Sequence, residues 1–83
     1  MDREQPLIAP SASIGEGAII APGVRVGHGA SIGPYVLIGE GTIVAEGASI
    51  GRFVIIRPGA SIGRSVIIHE GMLIAEGAVI HNG

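Results

Sequence analysis

An aliphatic residue stands at every sixth position of this chain: Ile8, Ile14, Ile20, Val26, Ile32, Ile38, Val44, Ile50, Ile56, Ile62, Ile68, Ile74 and Ile80. A helix repeats at about 3.6 residues and a strand at about 2, so neither alone sustains a period of six. A fixed period over the whole length is the mark of a solenoid, in which each repeat buries the face of the next. That matters for a chain of 83 residues, because a compact globule of this size buries only a modest core. The 15 glycines fall in phase with the repeat, so they belong to its turns and not to a low-complexity tail. One domain is expected over 1–83, with 1–6 as a polar N-terminal cap segment and 7–82 as repeats.

Within each hexad the residue two before the aliphatic is small or aliphatic, as in Ala12, Val24, Val36, Thr42, Ala48 and Met72. Residues two apart on a strand share a side. Each hexad therefore reads as a short strand with both positions facing inward, and Thr42 is expected inside. The three residues that follow are turn material, such as Gly-Glu-Gly at 15–17, Ala-Pro-Gly at 21–23, Gly-His-Gly at 27–29 and Arg-Pro-Gly at 57–59. Gly permits positive φ and Pro presets φ, which is the chemistry of a corner. No room remains for a helix.

This pattern of aliphatic, Gly or Ala, two free residues, a small residue and one more free residue resembles the hexapeptide-repeat family of left-handed parallel β-helices. The resemblance implies an all-β fold in which three hexads close one triangular coil. Residues 8–79 make twelve hexads and hence four coils, with Ile80 opening a fifth. The family contains acyl- and acetyltransferases, in which a His acts as general base in a cleft between subunits, and carbonic anhydrases of the γ class, in which histidines from two subunits bind zinc. Its members typically form homotrimers.

A coil period of three hexads sorts the outward residues into three faces. One face carries Ser13, Ser31, Ser49 and Ile67. A second carries Arg25, Ile43 and Ser61, with Leu7 and Val79 at its ends. The third carries Ile19, Leu37, Ile55 and Leu73, four large aliphatics in line. Single exposed hydrophobics are ordinary, but a continuous stripe marks an interaction surface. The stripe Ile19, Leu37, Ile55 and Leu73 is the expected oligomer interface. A cyclic trimer would use a heterologous contact that closes on itself. Open coil ends also carry a risk of end-to-end stacking. The coil period further places Glu46 beside Arg64, Arg52 beside Glu70 and Tyr35 beside Phe53, each one coil apart, with the two rings reading as packing.

The histidines are His28, His69 and His81. His28 stands at the tip of one corner, His69 at a different corner, and His81 at the last edge on the corner column of His28. They do not converge, so no metal site and no bound cofactor are expected. The GxG pieces at 15/17, 27/29 and 39/41 precede no helix, so they form no phosphate loop. The lone Thr cannot build a Thr ladder of the ice-binding kind. A net charge of −2 without a basic stripe argues against nucleic acid. Apolar runs reach only about four residues, which argues against a membrane span or secretory signal; the location stays open, with a soluble protein expected, cytoplasmic if expressed in a cell. The expected function is a non-catalytic, self-assembling β-solenoid module of idealised or designed character, forming a homotrimer. The alternative is a hexapeptide-repeat acyltransferase, or a coil segment of one, with His28 as general base and acyl-CoA as partner.

Overall fold

The computed structural model describes residues 5–81. Four of the residues read as an N-terminal cap segment, 1–4, lie outside the described part, as do Asn82 and Gly83 at the end of the last hexad. Every hexad contributes a two-residue strand, and the described residues contain thirteen of them. All pair in parallel, each with the strand three hexads away. The result is a triangular solenoid of three sheets. Sheet A stacks Leu7–Ile8, Arg25–Val26, Ile43–Val44, Ser61–Ile62 and Val79–Ile80; sheet B stacks Ser13–Ile14, Ser31–Ile32, Ser49–Ile50 and Ile67–Ile68; sheet C stacks Ile19–Ile20, Leu37–Ile38, Ile55–Ile56 and Leu73–Ile74.

The backbone pairs coil to coil around the whole perimeter, corners included. On sheet C, Leu37 N donates to Val54 O at 2.9 Å and Gly39 N to Ile56 O at 2.7 Å; at the neighbouring corner, Tyr35 N donates to Glu16 O at 2.9 Å. The corners turn through the left-handed region. Eight glycines occupy it, together with Tyr35, Phe53 and Ser65.

Inside, the Ile and Val ladders form one core with the small residues two positions before them. Ile38, Ile56 and Ile62 are among the side chains fully removed from solvent. Each such burial stabilises by roughly 1.5–3 kcal/mol relative to exposure, and β-branched side chains suit the half-pleated surface. Thr42 faces inward as expected; its Oγ1 donates to Arg57 O at 3.3 Å, so the core holds no orphaned hydroxyl there. The inward pattern weakens at the ends. Ile8 and Ile14 are 39% exposed and Met72 is 46% exposed, because no described coil stacks on their open side.

The alternation of burial along one strand gives a direct test. Ile32→Ala should cost about 2–5 kcal/mol of unfolding free energy, whereas Ser31→Ala, one residue earlier and outward, should change it by less than about 0.5 kcal/mol. Chemical denaturation followed by circular dichroism measures both.

Candidate functional site

Sheets A and B meet at a corner whose tips on successive coils are His28, Glu46 and Arg64. These three line a shallow groove that runs onto sheet A and is floored by Leu7, Arg25 and Ile43. The groove is open on its outer side. One imidazole, one carboxylate, two guanidinium groups and two aliphatics thus share a single concave surface. Ser11, one coil below, holds the His28 end. Its Oγ accepts a hydrogen bond from Gly29 N at 3.0 Å and lies 3.4 Å from His28 Nδ1. When Ser11 donates to Nδ1 the ring proton sits on Nε2; when Ser11 accepts, the proton sits on Nδ1 and Nε2 presents a free lone pair. The second arrangement is the one a general base requires.

The other histidines stand apart. His69 lies on the corner between sheets B and C, beside Arg52 and Glu70. His81 shares the corner of His28 but not its column: it stacks on Gly63, where a Cβ would meet His81 Cα at 3.0 Å, one register position ahead of His28. Among the described residues no three His, Cys, Asp or Glu side chains come together to hold a metal ion.

The two expected charge pairs behave differently. Arg52 Nε donates to Glu70 Oε1 at 2.9 Å, with both side chains well exposed. Glu46 and Arg64 line the same groove without forming an ion pair; among the described residues the Arg52–Glu70 contact is the one salt bridge. An exposed pair of this kind contributes at most about 1 kcal/mol, too little to dictate rotamers at both corners.

At the corner between sheets B and C, Tyr35 and Phe53 stack with ring centroids 5.5 Å apart and planes 9° from parallel. Both are in the left-handed region, at φ 60° and 58°. The Tyr35 ring lies over Gly17: a Cβ there would meet Tyr35 Cε1 at 2.5 Å, so the coil beneath must carry glycine. Holding a non-glycine residue in this region costs roughly 1–2 kcal/mol, whereas a stacked aromatic pair returns about 0.5–1.5 kcal/mol. Two left-handed residues therefore cost more than their mutual stack restores. The rings remain about half exposed, Tyr35 at 52% and Phe53 at 57%.

Next to them runs the sheet C stripe. Ile19, Leu37, Ile55 and Leu73 are 41–64% exposed. Their strands pair in register, so the four side chains rise in one column. Tyr35 and Leu37 are two residues apart, as are Phe53 and Ile55, so the aromatic corner immediately precedes the stripe along the chain.

The sequence model of a family described as bacterial transferase hexapeptide (six repeats) matches residues 11–46. The fold is the left-handed hexapeptide-repeat β-helix. Similar solved structures include the acetyltransferase domain of PglB from Neisseria gonorrhoeae, which is 25% identical with a TM-score of 0.66; the comparison covers 95% of this chain and 42% of that one. The same domain is also known in complex with acetyl coenzyme A. GDP-perosamine N-acetyl transferase from Caulobacter crescentus, at 18% identity and TM-score 0.56, shares the fold over 92% of this chain and 48% of its own. The β-helix thus spans less than half the length of these acetyltransferase structures. No curated protein sequence matches it. No helix in the described residues is long and apolar enough to cross a membrane.

Two residues of the β-helix site carry signals that the hexad pattern alone leaves unread. Ser11 stands three hexads before Gly29, so the coil period sets it beside the His28 corner. Arg25 is the one charged residue among the thirteen outward strand positions. Ser11→Ala should shift the tautomer balance of His28, read as a change in its imidazole 15N chemical shifts; unchanged shifts would mean that the hydroxyl does not hold the ring.

Proposed function

We propose that this β-helix is the coil region of an acyl-coenzyme-A-dependent transferase that works as a side-by-side homotrimer, with the sheet A groove as its site and His28 as general base. The groove itself carries this reading, since it gathers a base, two cations against one carboxylate, and the aliphatics Leu7 and Ile43 on one open surface. Nε2 of His28 would take the proton of an acceptor hydroxyl or amine as that nucleophile attacks the thioester carbonyl. Collapse of the tetrahedral adduct breaks the carbon–sulfur bond, and the departing thiolate receives the proton. Arg25 and Arg64 suit an anionic donor, because guanidinium groups pair bidentately with phosphate. The floor of Leu7 and Ile43 suits an uncharged acyl or pantetheine arm.

The groove lacks an outer wall, and a second copy would supply one. Assembly through Ile19, Leu37, Ile55 and Leu73 would remove the stripe from water, at roughly 1.5–3 kcal/mol per fully buried aliphatic before the entropic cost of association. The similarity to acetyltransferase structures supports the reaction class. A second reading, a non-catalytic self-assembling scaffold, is favoured by the regular strand spacing: every described hexad follows the last without an intervening loop.

Titration calorimetry with acetyl coenzyme A separates the two. The transferase reading expects saturable micromolar binding to the assembled protein, weakened roughly tenfold, or about 1.4 kcal/mol, by Arg64→Ala. Absence of saturation up to millimolar ligand would leave the scaffold reading.

A further inference from the structure

The corner between sheets A and B repeats one backbone bond from coil to coil and departs from it at its first step. At the third residue of this corner, Gly47 N donates to His28 O at 2.9 Å and Ser65 N donates to Glu46 O at 3.0 Å. Gly29, Gly47 and Ser65 all occupy that position with positive φ. Ser11 begins the same column without entering the left-handed region. Its side chain takes over the role of the corner carbonyl: Gly29 N donates to Ser11 Oγ at 3.0 Å. The hydroxyl is thereby fixed beside the imidazole, with Oγ 3.4 Å from His28 Nδ1. An exposed serine is thus held between a backbone donor and a base.

These are the parts of an activated nucleophile: a hydroxyl within hydrogen-bond reach of an adjacent base. The Gly29 N–H occupies one lone pair of Oγ and leaves the hydroxyl proton for Nδ1, when the ring proton sits on Nε2. The same N–H stabilises negative charge that gathers on Oγ as the proton leaves, because a hydrogen bond to the charged form favours it. Glu46 stands one coil above His28 on the same groove and is not paired with Arg64. Its carboxylate offsets the charge of the imidazolium that forms. We propose that Ser11 is a nucleophile with His28 as its base, and that it takes an acyl group from an activated carboxylic ester or thioester onto Oγ. Oγ attacks the carbonyl carbon while its proton passes to Nδ1. The bond from that carbon to the leaving oxygen or sulfur breaks, and the leaving group takes the proton from Nδ1. Ser11 is then an ester and His28 is neutral again. Direct transfer with Nε2 as base uses the opposite tautomer, so this step goes beyond that reading and needs neither coenzyme nor a second copy.

Reaction of the protein with p-nitrophenyl acetate tests this, with the adduct weighed on the intact chain and located by peptide fragmentation. The variants are Ser11→Ala, His28→Gln and Ser65→Ala, each checked for β-structure by far-UV circular dichroism. The parent should gain a single acetyl group, on Ser11, with nitrophenolate released in a burst that matches the protein concentration. Ser11→Ala should abolish the adduct. His28→Gln should slow its formation by at least about tenfold, since it removes the base. Ser65 lies on the same corner column and, among the described residues, bonds to no imidazole; Ser65→Ala should react as the parent does. No adduct, an acetyl group on His28 or spread over other serines, or a Ser11 adduct that forms as fast in His28→Gln would each overturn the pair. The ester reacts without coenzyme, so a failure of acetyl coenzyme A to bind would remove the transferase reading alone.

Discussion

Everything in this molecule depends on the stacking of one coil on the next in a register of three hexads. Each coil donates its backbone N–H groups to carbonyls of an adjacent coil, at the corners as well as along the sheets. The same register places Ile on Ile and Val on Val along the axis. A parallel ladder and an aliphatic ladder thus constrain each other. Shifting a coil by one residue would turn its whole aliphatic set toward solvent, so the register is held by burial as firmly as by hydrogen bonds.

That constraint divides the labour among the residues. The inward positions are committed to the core and carry no chemistry; Thr42, the one buried polar side chain among the described residues, is spent on a bond to Arg57. What remains free is the outer strand position and the corner tip. The chain uses these unevenly. Serines dominate sheet B, a continuous aliphatic column covers sheet C, and sheet A mixes aliphatics with one arginine and one serine. The polar functional groups gather at the corners, where His28, Glu46 and Arg64 rise on consecutive coils. A fold this regular therefore writes its function on its surface, and the concave sites it offers are open grooves that a neighbouring copy can complete.

Much of this was legible from the period of six. The strands, the three faces, the inward Thr42 and the juxtaposition of Tyr35 with Phe53 all follow from counting, because a solenoid converts sequence separation directly into position. The period does not decide what exposed side chains do once adjacent. Arg52 and Glu70 join while Glu46 and Arg64 do not, although both pairs are one coil apart, since a surface ion pair is too weak to impose a rotamer. The hexads read as a uniform core, yet Ile14 and Met72 are substantially exposed, because burial here depends on a coil on both sides and not on the hexad alone. The groove over sheet A was hidden for another reason: it is a matter of shape, set by side chains of different length along one column. The tie between Ser11 and His28 was within reach of the same counting, since Ser11 and Gly29 stand three hexads apart.

Assembly of the kind proposed requires that the sheet C column be a covered surface. The direct measurement is the solution mass of three proteins by sedimentation equilibrium: the parent, Leu37→Glu and Ser31→Glu. The two variants introduce the same charge in the same coil, one on the aliphatic column and one on the serine face. The parent and Ser31→Glu should have the mass of a trimer, and Leu37→Glu that of a monomer with its β-structure retained. An assembly that survives Leu37→Glu unchanged, or is lost in Ser31→Glu instead, would contradict it.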